Sequence, residues 1–157
     1  MKLFEPEPDA RRRAANAVIF GAWFVVTVIA AFLRPDAHGH GTHQQLGLPP
    51  CPSVLILDRP CPGCGLTTSW TAFVHGDFAT AFQAHALGPA FYLAFTVAAW
   101  LNLYAGLRGL RVITDGKTFN RGLIAAVTVF LVYGVVRMSV VTGYAAPRER
   151  LLSKIIR

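Results

Sequence analysis

Residues 14–33 read AANAVIFGAWFVVTVIAAFL, twenty consecutive positions without a charge. A bilayer-spanning helix needs about 20 mostly apolar residues, so this stretch alone is a complete span. Two more stretches qualify: Leu87 to Leu107, which contains Trp100 and Asn102, and Gly122 to Thr142, which contains one charge, Arg137. Hydrocarbon offers backbone groups no partner, so each span is expected to be helical. The remaining composition agrees. The chain has 157 residues, 54% of them hydrophobic and only 15% charged, against about 25% charged for an ordinary soluble domain. A protein of this length cannot hide that much apolar surface in a water-soluble core. The formal charge of +7 sits in clusters at span ends, which argues against a nucleic-acid binder and for the lipid bilayer as partner.

Those clusters predict orientation, because Lys and Arg favour the cytoplasmic side. The first tail carries Lys2, Arg11, Arg12 and Arg13, and the loop over residues 108–121 carries Arg108, Arg111, Lys117 and Arg121. The long loop, residues 34–86, carries only Arg34 and Arg59. The N-terminal tail 1–13 and the loop 108–121 are therefore expected in the cytoplasm of a bacterial cell, with 34–86 outside the inner membrane. The segment 143–157 breaks the rule with Arg148, Arg150, Lys154 and Arg157. From Pro147 it reads as a surface helix, with Leu151, Leu152, Ile155 and Ile156 on one face, or as a basic frayed end. The first span could also be a signal peptide, but its apolar run is long and no clean cleavage site precedes Arg34.

The outer loop is the informative part. It begins with a polar stretch containing His38, His40 and His43, continues through Leu48-Pro-Pro-Cys51-Pro and an apolar patch from Val54 to Leu57, and reaches Cys61-Pro-Gly-Cys64-Gly65. The Pro and Gly punctuation predicts turns rather than helix or strand there. Beyond Gly65, Leu66, Trp70, Phe73 and Val74 recur at helical spacing. Gly76 ends that helix, and Asp77 is a good N-cap for another, with Phe78 and Phe82 on one face. Two short helices at the outer interface are expected, giving an all-α integral membrane protein: three transmembrane helices, two interfacial helices and a Cys-rich outer loop, in a single domain.

Three readings of Cys51, Cys61 and Cys64 compete. Thiols on an oxidising side tend to pair, so Cys51 bonded to Cys61 or Cys64 would staple the loop. Alternatively Cys61 and Cys64 form a redox pair, the helix after Cys64 favouring its thiolate. Thirdly, Cys61 and Cys64 with His38, His40 and His43 could bind zinc or copper, although a zinc site of this kind usually brings a second well-spaced pair.

Residues 48–89 resemble the family known as domain of unknown function 2752, small bacterial multi-pass membrane proteins. The resemblance rests on Leu-Pro-Pro-Cys51-Pro, on Pro60-Cys61-Pro-Gly-Cys64-Gly65-Leu-Thr67-Thr68-Ser69, on His75-Gly76-Asp77, and on Ala81 and Gly88-Pro89. Many relatives carry Arg where Thr68 stands, and the His cluster falls outside the pattern. The resemblance implies a helical membrane fold and no activity.

Arg137, a charge within the third span, either snorkels to the headgroups or turns inward to meet Asp77 or the loop carbonyls. Asn102 and Tyr104 are candidates for bonds between helices. Neither a complete catalytic set nor a phosphate loop is present, and intramembrane polar residues are too few for a transport path. The sequence therefore reads first as a non-enzymatic accessory, scaffold or interaction subunit, partnered by other membrane proteins or by itself, with a disulfide-pinned loop and no cofactor. The alternative is a thiol redox or metal-binding membrane protein using the CPGC motif.

Overall fold

The computed structural model describes residues 3–6, 9–114 and 116–156. Lys2 and Arg157, and the side chains of Arg11, Arg12, Arg13, Arg148 and Ile156, lie outside the described residues. The chain is predominantly helical. Among the described residues, three helices are long and apolar enough to cross a membrane: α1 (Ala10–Phe32), α5 (Gly88–Arg108) and α6 (Lys117–Val140). Between α1 and α5 lie a 3-10 turn (Thr42–Leu46), α2 (Pro52–Leu57), α3 (Leu66–Val74) and α4 (Phe78–Ala84). The chain continues into α7 (Pro147–Ile156).

Helix α1 packs along α5. Both helices bury small residues, Ala30 on α1 and Ala99 and Ala105 on α5, which allow neighbouring backbones to approach. Trp23 Nε1 donates to Thr96 Oγ1 (2.9 Å) and Thr27 shares a bond with Tyr92 (3.0 Å), while Phe20 and Trp23 meet the edge of Trp100. With this packing α1 is an integral part of the fold. Asn102 instead donates to Ala98 O of its own helix, and Tyr104 meets Phe4 and Arg108, so neither bridges two spans by the hydrogen bond expected of it.

Two three-residue strands, β1 (Phe4–Pro6) and β2 (Leu110–Val112), form an antiparallel ribbon with Glu5 opposite Arg111. Those two side chains pair at 2.7 Å, and Asn16 donates to Leu110 O. The ribbon puts the N-terminal segment and the loop after α5 on one side of the molecule. At the other end, Tyr144 and Ala145 donate from their backbone to Asp58, and α7 rests against α2. The basic tail thus lies on the side of the cysteine loop, as three spans require.

The loop is more helical than the Pro and Gly punctuation suggested. Pro52 occupies the first turn of α2, where its missing N–H costs nothing, and Val54 is buried against Cys64 and Ala145. Helices α3 and α4 occupy the two positions expected. Gly76 follows α3 at φ 79°, and Asp77 caps α4 by accepting from Thr80 N (3.0 Å), which holds its carboxyl below the ordinary range. Phe78 and Phe82 remain exposed, as suits an interfacial helix.

Helix α6 stands apart along most of its length, and Gly134 is its buried residue. It meets the rest of the protein from Phe130 onward, where Phe130 packs on His85 and Phe91 and Tyr133 Oη accepts from Ala86 N. A Cβ at Gly134 would lie 2.4 Å from Pro62, so the glycine is what lets α6 sit directly against the CPGC turn.

Candidate functional site: a thiol cluster beneath the tail helix

Each cysteine reaches the site on a different local device. Cys51 is the N-cap of α2. Cys61 opens a turn closed by Cys64 N donating to Cys61 O. Gly65 then caps α3 at φ 85°, pressed against the carbonyls of Ala84 and Gly39. These devices bring the three Sγ atoms within 4.8 Å of one another. Cys61 and Cys64 share a thiol hydrogen bond at 3.2 Å.

All three cysteines are free thiols, two half-buried and Cys64 buried. The expected staple from Cys51 is therefore not formed; the loop is pinned by packing and by Arg137 instead. The ionisation pattern also differs from the one expected. Burial, and after it the Cys61 thiol, pushes the Cys64 thiol far above its ordinary 9.0. At Cys51 burial works in the same direction, but thiol bonds from Cys64 and Cys61 and the N–H groups of Val54 and Ser53 outweigh it and hold the thiol below 9.0. Ionisation is thus favoured at Cys51 and opposed at Cys64, at the start of α3.

A cavity of about 260 Å³ adjoins the sulfurs, walled also by His40, His43, Thr67, Thr68 and Glu149. Among the described residues no histidine joins the sulfur cluster. His40 is buried, stacked on Tyr144, with Nδ1 facing His38 O (3.1 Å) and Nε2 facing Glu149 Oε2 (2.8 Å). His43 turns Nε2 to Pro49 O (3.2 Å). His38 is exposed beside Asp36 in a separate outer pocket. Thr68 is buried and bonded to Thr42 (2.8 Å), while Thr67 is exposed on the cavity wall.

Glu149 was not foreseen. It is buried, and besides His40 it accepts from Gln44 Nε2 and Ala146 N. Burial opposes its charge, yet those three donors keep its carboxyl below the ordinary 4.5. The signal was present in the sequence as a lone acid in a basic tail, but its partner His40 is 109 residues away.

Arg137 does not snorkel. Its guanidinium donates to Cys64 O (2.5 Å), Ala84 O (2.9 Å) and Tyr144 Oη (2.9 Å) and lies over the Tyr144 ring. Burial pushes the Tyr144 phenol up to about 12, so it stays neutral. Asp77 is exposed, occupied with its cap, and takes no part. Arg59 reinforces the clamp through Met138 O and Ser139 O.

Residues 51–99 match the model of a family described as a protein of unknown function, DUF2752. This is the family that the cysteine pattern resembles. The DUF2752 segment contains all three cysteines, α2 to α4 and the first half of α5, whereas His40, Arg137 and Glu149 come from outside it. No curated protein and no solved structure matches the chain.

Beneath the turn, His85 is fully buried and donates Nε2–H to Pro62 O (3.1 Å), while Nδ1 has no partner among the described residues. Burial foremost, then the Arg137 charge, lowers its pKa below 6.5. A histidine lowered in the folded state binds fewer protons than the unfolded chain below pH 6.5. Its stabilisation is therefore complete above that pH and lost as pH falls towards the folded value. Thermal unfolding of the metal-free protein, followed by tryptophan fluorescence, is expected to move to lower temperature between about pH 7.5 and about pH 5.5. His85→Gln should flatten that dependence, and an unchanged slope in the variant would rule His85 out as its source.

Proposed function

We propose that this membrane protein binds a soft metal ion through the thiolates of Cys51, Cys61 and Cys64, on the bilayer face opposite its N-terminal segment. The observation that carries this reading is the gathering of three free thiols, drawn from C-x9-C-x2-C spacing, within 4.8 Å. Two sulfurs on one ion at about 2.3 Å stand about 3.8–4.0 Å apart, so the Cys61–Cys64 contact need widen by only roughly 0.7 Å. The ion displaces the thiol protons as it binds. The charge distribution at the span ends supports a location outside the cytoplasm of a bacterial cell, where a bound ion would also shield the thiols from oxidation.

The experiment is metal analysis of the detergent-purified protein. One equivalent per chain is expected after reconstitution, and Cys51→Ser, Cys61→Ser and Cys64→Ser should each weaken binding by about 100-fold or more. Retention of metal by all three variants would remove the cluster from consideration. Absence of metal with a CPGC disulfide cycling at a mild potential would favour redox chemistry. Absence of both would return the protein to an accessory or scaffold subunit of other membrane proteins.

A further inference from the structure

We infer that the thiol cluster takes a three-coordinate monovalent soft ion, Cu(I) in chemical type, in preference to tetrahedral zinc; this rests on the metal-binding reading above. Tetrahedral structural zinc needs a fourth protein ligand, and among the described residues no histidine nitrogen or carboxylate oxygen joins the three sulfurs. Both ring nitrogens of His40 face acceptors, the His38 carbonyl and the Glu149 carboxylate. Both Glu149 oxygens accept hydrogen bonds, Oε1 from Gln44 and Oε2 from Ala146 and His40. His43 turns Nε2 to Pro49 O and neither of its ring nitrogens falls within the sulfur cluster, while Thr68 shares its hydroxyl hydrogen bond with Thr42. Among the described residues sulfur alone converges; thiolates suit both Cu(I) and zinc, and a set of three without a fourth ligand is what favours Cu(I).

Ionised Glu149 lines the same cavity and opposes added negative charge, and Arg137 offsets it. A trithiolate complex carries one more negative charge with a monovalent than with a divalent ion. Arg137, bonded to the Cys64 carbonyl, places a fixed positive charge beside that excess. Withdrawing His40 or Glu149 to serve as a fourth ligand would break the buried pair that docks α7, leaving the partner unpaired at a cost.

The test uses the full chain in detergent under anaerobic reducing conditions, titrated with Cu(I) or Zn(II) against chromophoric chelators and measured by X-ray absorption. Cu(I) is expected to show three sulfur neighbours and no nitrogen, and to bind at least about 1,000-fold more tightly than Zn(II). His43→Ala should leave Cu(I) affinity within about threefold, whereas Cys51→Ser should lower it about 100-fold or more. A nitrogen neighbour, a large loss on His43→Ala, or comparable zinc affinity with four ligands would overturn this inference while leaving metal binding intact. Failure to bind either ion would overturn both.

Discussion

Gly65→Ala is expected to open the outer loop. At φ 85° the added Cβ would lie 2.3 Å from Ala84 O and 2.8 Å from Gly39 O, both backbone atoms that cannot swing aside. The left-handed conformation costs a non-glycine residue about 1–2 kcal/mol, and forcing packed backbone apart adds about 1–3 kcal/mol more. The Ala84 carbonyl also receives Arg137, so the displacement reaches the clamp on α6. Alkylation of the cysteines by a membrane-impermeant reagent should accelerate by about 100-fold, since 2.7 kcal/mol corresponds to about two decades. Gly63→Ala is the control: it lies in the same turn, but nothing stands within 4 Å of the added atom, and labelling should match the parent. Equal labelling of both variants and the parent would show that Gly65 does not hold the loop closed.

Arg137→Leu is the second large effect, and its direction runs against simple hydropathy. Leucine suits a membrane span better than arginine by about 3 kcal/mol or more, so insertion should not suffer. The loop should. Two carbonyls, those of Cys64 and Ala84, lose charged donors, and bonds to charged groups are worth about 1.5–3 kcal/mol each. Tyr144 loses both its hydrogen bond and its cation. Normal expression with fast thiol labelling and weakened metal binding is the expected combination, with partial recovery in Arg137→Lys, whose single ammonium cannot reach all three acceptors at once. Unchanged labelling in Arg137→Leu would make the residue a passive headgroup contact.

These two residues mark where the sequence could and could not be read. The spans were legible because hydrophobicity over twenty positions is a local property, and the sequence needed nothing else to place α1, α5 and α6. Helices α3 and α4 followed from the recurrence of Leu66, Trp70 and Phe73 and from the Asp77 cap, again local signals. Helix α2 was missed because six residues, Pro52 to Leu57, are too few to show a period. The meeting of Cys51 with Cys61 and Cys64 was not legible, since a nine-residue spacing is compatible with a bridge, a metal site or no contact. The His40–Glu149 pair was beyond reach for the same reason, being made by tertiary docking of two distant segments. For Arg137 the sequence offered two opposite orientations, and only the carbonyls of Cys64 and Ala84 decide between them.

The small ribbon between β1 and β2 has a consequence during synthesis. Glu5 and Arg111 are 106 residues apart, so at about 5–20 residues per second the first strand emerges about 5–20 s before its partner. Throughout that interval α1 must be inserted without the clasp. The clasp can close only when the start of α1 and the end of α5 lie on the same face of the bilayer. A nascent chain with α5 inverted would leave Val112 a membrane's width from Phe4, with both edges unpaired and the Glu5–Arg111 pair unmade. Closure of three residues therefore acts as a check on the topology of two spans.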